Sequence, residues 1–345
     1  MGNALTRRQR QKSISSPGKT KSSPTKSSTT NFGKDPALNR ADFIVSKQTD
    51  ATVVKRPGQI NGQQFLIEDC TRCNVFVLDH CTSVQIDECH DCTIFIGPCT
   101  ASLFVRNCSR TTLVCIVQQF RTRDCTDMDI GLFSSTAPII ESSKSLRVSC
   151  SRVSYMGLQR QLDISKFSVW TNKWSEVFDF TPAPGNWVPQ ATSRALLDKL
   201  PADVATELGF VESNEIIPFT VGLPSRVLDQ VAFICVTTGM SEVAMQVASA
   251  LASSGELQLI QTRQFRITIA QAKQLFGKDD ATRTKVATES PVGVIVMEWT
   301  AKDATALQTL LTNECIKTHA NALFVDIAHA PSFVELCWNE WKEVI

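Results

Sequence analysis

FLIEDCTRCNVFVLDHC (65–81) lies, at a shift of nineteen residues, over VQIDECHDCTIFIGPC (84–99) and then over LFVRNCSRTTLVC (103–115). Cys70, Cys89 and Cys108 fall in one column. The triplet Val75, Phe76, Val77 matches Ile94, Phe95, Ile96 and then Leu113, Val114, Cys115. A repeat of two short β-rich runs, each closed by a corner such as DC, HC, EC, PC or NC, is the pattern of a right-handed parallel β-helix, a solenoid. One coil cannot bury its own apolar face, so coils stack at about 4.8 Å and build a continuous core. Small thiols suit the tight interior corners.

The same cysteines admit a second reading. DCTRC (69–73) and ECHDC (88–92) have the spacing C-x2-C-x15-C-x2-C of a four-thiolate zinc site. A zinc site would stop at two copies, whereas Cys73 and Cys92 are followed at the same shift by Thr111, and a corner ladder can continue with Thr. The ladder is therefore expected, with no metal, and His80 and His90 are read as corner residues.

The repeat also orients side chains. In a strand alternate residues face inward, so Phe65 and Ile67, Val84 and Ile86, and Leu103 and Val105 mark the core side. The next coil, FRTRDC (120–125), aligns through its cysteine at a shift of seventeen. That puts Phe120 and Thr122 inward and turns Arg121 and Arg123 outward. Arg121 joins the column of Leu66, Gln85 and Phe104; Arg123 joins that of Glu68, Asp87 and Arg106. An arginine on a rigid exposed strand suits recognition of a carboxylate or phosphate, although an ordinary surface arginine fits the same pattern. Gln118 and Gln119, just upstream, are polar residues able to position a partner or a water.

At 345 residues the chain is long enough for two or three domains. Its thirteen cysteines come with no secretory-type apolar segment at the start and no run of 18 apolar residues, so reduced thiols in an intracellular protein are expected. The net charge of +1 conceals an asymmetry: residues 1–34 hold eight Lys or Arg and no Asp or Glu, leaving 27 basic against 34 acidic residues beyond them. That Ser-, Thr-, Pro- and Lys-rich stretch cannot offset the entropy of folding and is read as a disordered tether, 1–36. MGNALT fits M-G-x-x-x-[ST], the pattern for myristoylation of Gly2. One acyl chain binds membranes marginally, and Arg7, Arg8, Arg10 and Lys12 supply a second attraction to an anionic leaflet. Nucleic acid is not expected as a partner, because the body is acidic and the tail lacks interleaved aromatics.

GQQFLIEDC (62–70), VQQFRTRDC (117–125), PIIESS (138–143) and NKWSEVFDFTP (172–182) closely resemble the tubulin-binding cofactor C domain family, over roughly residues 50–185. The Gly2 motif and the extra C-terminal region resemble its membrane-tethered branch more than the soluble tubulin cofactor. The resemblance implies a GTPase-activating protein for Arf-like small GTPases in the GTP state, with Arg121 as an arginine finger. It implies that Gln118 orders the finger or the attacking water's surroundings. Glu141 would make an ionic contact to the GTPase, with Arg123, Gln119 and Phe104 in the same partner-binding patch. GTP and Mg²⁺ would belong to the partner, so no cofactor of its own is expected. It further implies the cytoplasmic face of the plasma membrane and the base of a cilium or flagellum. Tubulin is the alternative partner, and a non-catalytic scaffold the alternative role.

The β-helix domain is accordingly read as 37–185, followed by a linker, 186–228, with a short helix around SRALLDKLPADVATELG (193–209). Residues 229–345 alternate strand and helix, which suggests a ferredoxin-like α/β layer. In the resembling branch this region is similar to nucleoside diphosphate kinase. His319 and His329 lack an H-G-S-D-like setting and no Gly-rich phosphate loop is present, so phosphotransfer is not expected.

Overall fold

The computed structural model describes residues 38–191, 196–225 and 230–341. The tether, Gly2 and its basic cluster lie outside them.

A parallel β-solenoid forms the first part of the described chain. Its strands are β1 (Ile44–Ser46), β2 (Thr52–Lys55), β3 (Phe65–Thr71), β4 (Asn74–Val77), β5 (Val84–His90), β6 (Thr93–Arg106), β7 (Thr112–Arg123), β8 (Thr126–Ser134), β9 (Ile139–Glu141) and β10 (Lys144–Cys150). β11 (Phe178–Asp179) and β12 (Trp187–Pro189) close it, pairing with β9 and β10. The columns read from the sequence are the observed registers: Cys70 pairs with Cys89, Phe76 with Phe95 and Phe95 with Val114. The shift of seventeen holds as well, with Leu103 opposite Phe120 and Val105 opposite Thr122. Phe120 and Thr122 are buried.

The corners differ in chemistry from the expectation of apolar thiols. Each is entered by a left-handed residue, Asp69, Glu88, Asn107, Asp124 and then Ser142, with φ from 48° to 56°. Asn and Asp tolerate this region best. The following side chain then bonds twice. Cys70, Cys89, Cys108 and Cys125 donate to the carbonyl two residues back at 3.1–3.4 Å, as Ser143 does at 2.9 Å. The sulfur or hydroxyl also accepts a backbone N–H from the preceding coil, Cys89 N to Cys108 Sγ at 3.4 Å and Cys125 N to Ser143 Oγ at 3.1 Å. The second corner repeats the device through Cys73, Cys92 and Thr111. Thr and Ser can therefore replace Cys here, because the position needs one donor and one acceptor. Among the described residues no three His, Cys, Asp or Glu side chains stand where they could share a metal ion.

α1 (Leu158–Ser165) stands between β10 and β11, and after β12 come α2 (Ala202–Leu208), β13 (Val231–Val236), α3 (Ser241–Ala252), β14 (Leu257–Phe265), α4 (Ile269–Phe276) and α5 (Ala281–Glu289). β15 (Val294–Ala301), α6 (Ala304–Thr312), α7 (Glu314–Thr318), β16 (Leu323–Asp326) and α8 (Ala330–Glu335) follow. β13 to β16 make an antiparallel sheet in the order β14-β15-β13-β16. α5 is a helix absent from the sequence reading, capped by Asp280, whose side chain accepts from Arg283 N at 2.9 Å.

The segment read as a linker is folded in its described parts. Residues 187–189 extend the solenoid as β12, and Ser154 and Val211 form an antiparallel bridge. One apolar cluster unites Phe76, Phe95, Tyr155 and Trp170 with Leu208, Phe210, Ile234 and Trp299. Thr262 Oγ1 donates to the Trp170 carbonyl at 2.8 Å, and Trp174 Nε1 donates to Thr220 Oγ1 at 2.8 Å. Burial of large aromatics couples solenoid and sheet, although the buried Trp299 Nε1 has no hydrogen-bond partner.

Candidate functional site

Stacking the coils lines up two columns, one of mixed character that begins at the buried Leu66 and one charged. Leu66, Gln85, Phe104, Arg121 and Ile139 follow one another on β3, β5, β6, β7 and β9, and β11 adds Phe178 opposite Ile139. Two residues along, Glu68, Asp87, Arg106, Arg123 and Glu141 form a charged column. Where both meet β9, a groove of about 390 Å³ opens, lined among others by Phe104, Arg106, Arg121, Arg123, Glu141 and Phe180.

The three arginines in this groove are in different states. Arg106 makes a two-pronged ion pair to Asp87, at 2.7 and 2.6 Å, and that hydrogen-bonded carboxylate raises the guanidinium's pKa above its ordinary value. Arg123 pairs through Nε with Asp124 at 3.2 Å. Arg121 has no such partner among the described residues. Its guanidinium carbon stands 5.6 Å from the centroid of the Phe104 ring, and its Nε is buried with no acceptor. Arginine stays protonated under any ordinary condition, so a dry donor without an acceptor is a standing cost. An anion entering the groove would relieve it.

Glu141 is exposed at the end of the groove, while its carbonyl anchors the corner of the preceding coil by accepting from Asp124 N at 3.2 Å. The structure thus brings together Arg121, Arg123, Glu141 and Phe104. Neither glutamine is among the residues that line the groove. Gln118 is exposed, and its carbonyl accepts from the Thr136 N–H and hydroxyl, both at 3.0 Å. The Gln119 amide oxygen is occupied by Ser102 Oγ at 2.8 Å. Gly2 lies outside the described residues.

Phe178 and Phe180 were not assigned a role from the sequence. They are 55% and 60% exposed, with ring centroids 4.9 Å apart at 85°. Between them Asp179 turns the other way, accepting from Thr181 N at 2.9 Å and from Asn186 Nδ2 at 2.8 Å. Its carboxylate fastens the loop and leaves both rings in solvent, with Phe180 lining the groove alongside Arg121. Two phenylalanines at i and i+2, within VFDFTP, are the signal that could have found them.

Residues 62–180 match the family model described as Tubulin binding cofactor C. Protein XRP2 from Xenopus laevis is 31% identical over 292 residues, which cover 82% of this chain and 82% of its own. The chain belongs to the XRP2 family. The groove falls inside the cofactor C domain of this XRP2-family chain, because every residue named in it lies between positions 62 and 180. A more distant relative, Tubulin-specific chaperone C from Mus musculus, is 25% identical over 134 residues, 39% of this chain and 38% of its own. Among solved structures, Tubulin Binding Cofactor C from Leishmania major overlays with a TM-score of 0.30 and 16% identity, covering 43% of this chain and 88% of its own.

Proposed function

We propose that this protein is a GTPase-activating protein that docks a GTP-loaded Arf-like small GTPase on the groove and lends it Arg121. The observation that carries the reading is the state of Arg121: of three arginines lining the groove, two are held by carboxylates and this one is not. A guanidinium inserted into a partner's nucleotide site stabilises charge spreading over the γ-phosphoryl oxygens, an effect worth about 10³ to 10⁵ in rate. The partner would bring GTP and Mg²⁺, and this chain contributes half of an active site. Glu141 would set the docking register by a charge contact, and Phe180 would bury its ring against the partner. Gln118, three residues before the finger on β7, would help to order the finger or the attacking water's surroundings.

Lipidation of Gly2 and the basic tail would hold this activity at the cytoplasmic face of the plasma membrane and at the base of a cilium or flagellum. Turnover of a GTPase that moves lipidated cargo would then be confined there. The strand order β14-β15-β13-β16 supports a ferredoxin-like, nucleoside diphosphate kinase-like reading of the C-terminal sheet. His319 ends α7 and His329 sits exposed beside Asp326 at 3.4 Å, neither beside a phosphate-binding loop, which supports a structural or cargo-binding role over phosphotransfer.

The test is multiple-turnover GTP hydrolysis by Arf-like GTPases with catalytic amounts of this chain. Arg121→Ala removes the stimulation while binding to the GTP-state partner stays within a few-fold; retained acceleration would sink the finger. A second reading, a tubulin cofactor C-like activator or scaffold, is favoured by the similarity to Tubulin-specific chaperone C. Tubulin capture without any GTPase stimulation would select it.

A further inference from the structure

Arg121 is held where it is by something weaker than an ion pair. Phe104 occupies the same column one coil earlier, so its ring and the guanidinium are register neighbours in a parallel sheet with a strand spacing of about 4.8 Å. The ring is 37% exposed, and the guanidinium carbon stands 5.6 Å from its centroid, within range for a cation–π contact. Two residues along, the preceding pair of coils shows the alternative. There Asp87 and Arg106 stand opposite each other and lock in a two-pronged ion pair. An acid at position 104 would hold the finger equally firmly and would compete with any incoming phosphate. A π face attracts the cation without offering an acceptor, so the guanidinium is oriented and its N–H groups stay available.

We infer that Phe104 is the positioning residue of Arg121: its ring holds the guanidinium over the groove before a partner arrives and releases it to the γ-phosphoryl group. This rests on the reading of the groove as a GTPase-docking site, but the holding itself is a property of the free chain. Arg123 and Arg106 do not contest the ring, because Asp124 and Asp87 hold them. A free arginine side chain samples many rotamers, and restricting them beforehand raises the fraction of encounters that are productive.

The test has two arms, each using the full chain with Phe104→Tyr, Phe104→Leu and Phe104→Asp. In the first, ¹⁵N-labelled arginine side chains are observed by NMR, with the Arg121 Nε–Hε signal assigned by its loss in Arg121→Lys. The signal keeps its ring-current shift in Phe104→Tyr and loses it in Phe104→Leu. An unchanged signal in Phe104→Leu overturns the inference whatever the partner does. In the second, stimulated GTP hydrolysis is measured against Arf-like GTPase concentration. Phe104→Tyr stays within about twofold of wild type, and Phe104→Leu lowers kcat roughly two- to fivefold with KM little changed, the size of one cation–π contact. Phe104→Asp falls further than Phe104→Leu. A loss confined to KM, or a Phe104→Asp variant as active as wild type, overturns the positioning role. If wild type stimulates none of the GTPases, the proposed function fails, and the NMR arm still decides whether Phe104 holds Arg121.

Discussion

The backbone N–H of Cys89 donates to the sulfur of Cys108 at 3.4 Å, and that thiol donates in turn to the Arg106 carbonyl at 3.1 Å. Ser143 does the same work two coils later. Cys108→Ser therefore keeps stability within about 1 kcal/mol, whereas Cys108→Ala strands a buried donor and costs about 1–3 kcal/mol. Urea unfolding midpoints of the two variants check the difference; equal losses would return the thiol to a purely space-filling role.

Arg121 carries a stability penalty if its function lies in a complex. Replacing it with Met removes the buried, acceptor-less Nε and keeps the apolar stem. Arg121→Met is expected to be neutral or stabilising by about 1 kcal/mol in the free chain while losing GTPase stimulation. Thermal unfolding beside the hydrolysis assay reads both effects.

Phe180 lines the groove and is 60% exposed, a large apolar surface left in water. Phe180→Ala should weaken partner binding by about 1–2 kcal/mol without lowering the stimulated rate at saturation. Titration of the chain against a GTP-loaded partner by calorimetry separates the two.

Asp79 is buried, and its Oδ2 accepts three backbone N–H groups, from Gly58, Ile60 and Asn61, at 2.7–3.0 Å. Its Oδ1 accepts the His80 N–H at 2.9 Å. Asp79→Ala would leave these donors without their acceptor and should cost on the order of 3 kcal/mol or more. The loss would appear first as faster hydrogen exchange at residues 58–61.

Burial pushes the Cys99 thiol up to about 12, and burial does the same for Cys337. An unfolded thiol ionises near 8.5, so above that pH the unfolded chain releases protons that the native chain retains. Stability thus holds below about pH 8.5 and falls as pH rises towards 12, by up to about 1.4 kcal/mol per pH unit for each such thiol. Urea midpoints at pH 8 and pH 10.5 check the slope, and Cys99→Ala should flatten it.

The sequence by itself determined the solenoid, its register and the direction of Arg121. Each coil repeats its neighbour at a shift of nineteen or seventeen residues, so a column in the alignment is a column in space, as Phe104 and Arg121 show. That translation needs only strand alternation and a corner that can turn, and the polar residue ahead of Cys70, Cys89, Cys108 and Cys125 supplies the turn. Tertiary structure alone decided what has no repeat. Phe180 reaches the groove because the chain returns after α1 to pair with β9, a long-range closure that no local period encodes. The segment 186–228 reads from the sequence as a linker with one short helix, yet Leu208 and Phe210 join the core, because burial against a distant surface overrides local composition. The state of Arg121 likewise depends on which carboxylates reach its neighbours. Alternation sets the direction in which a side chain leaves its strand; its partner is set by packing between residues far apart in the chain.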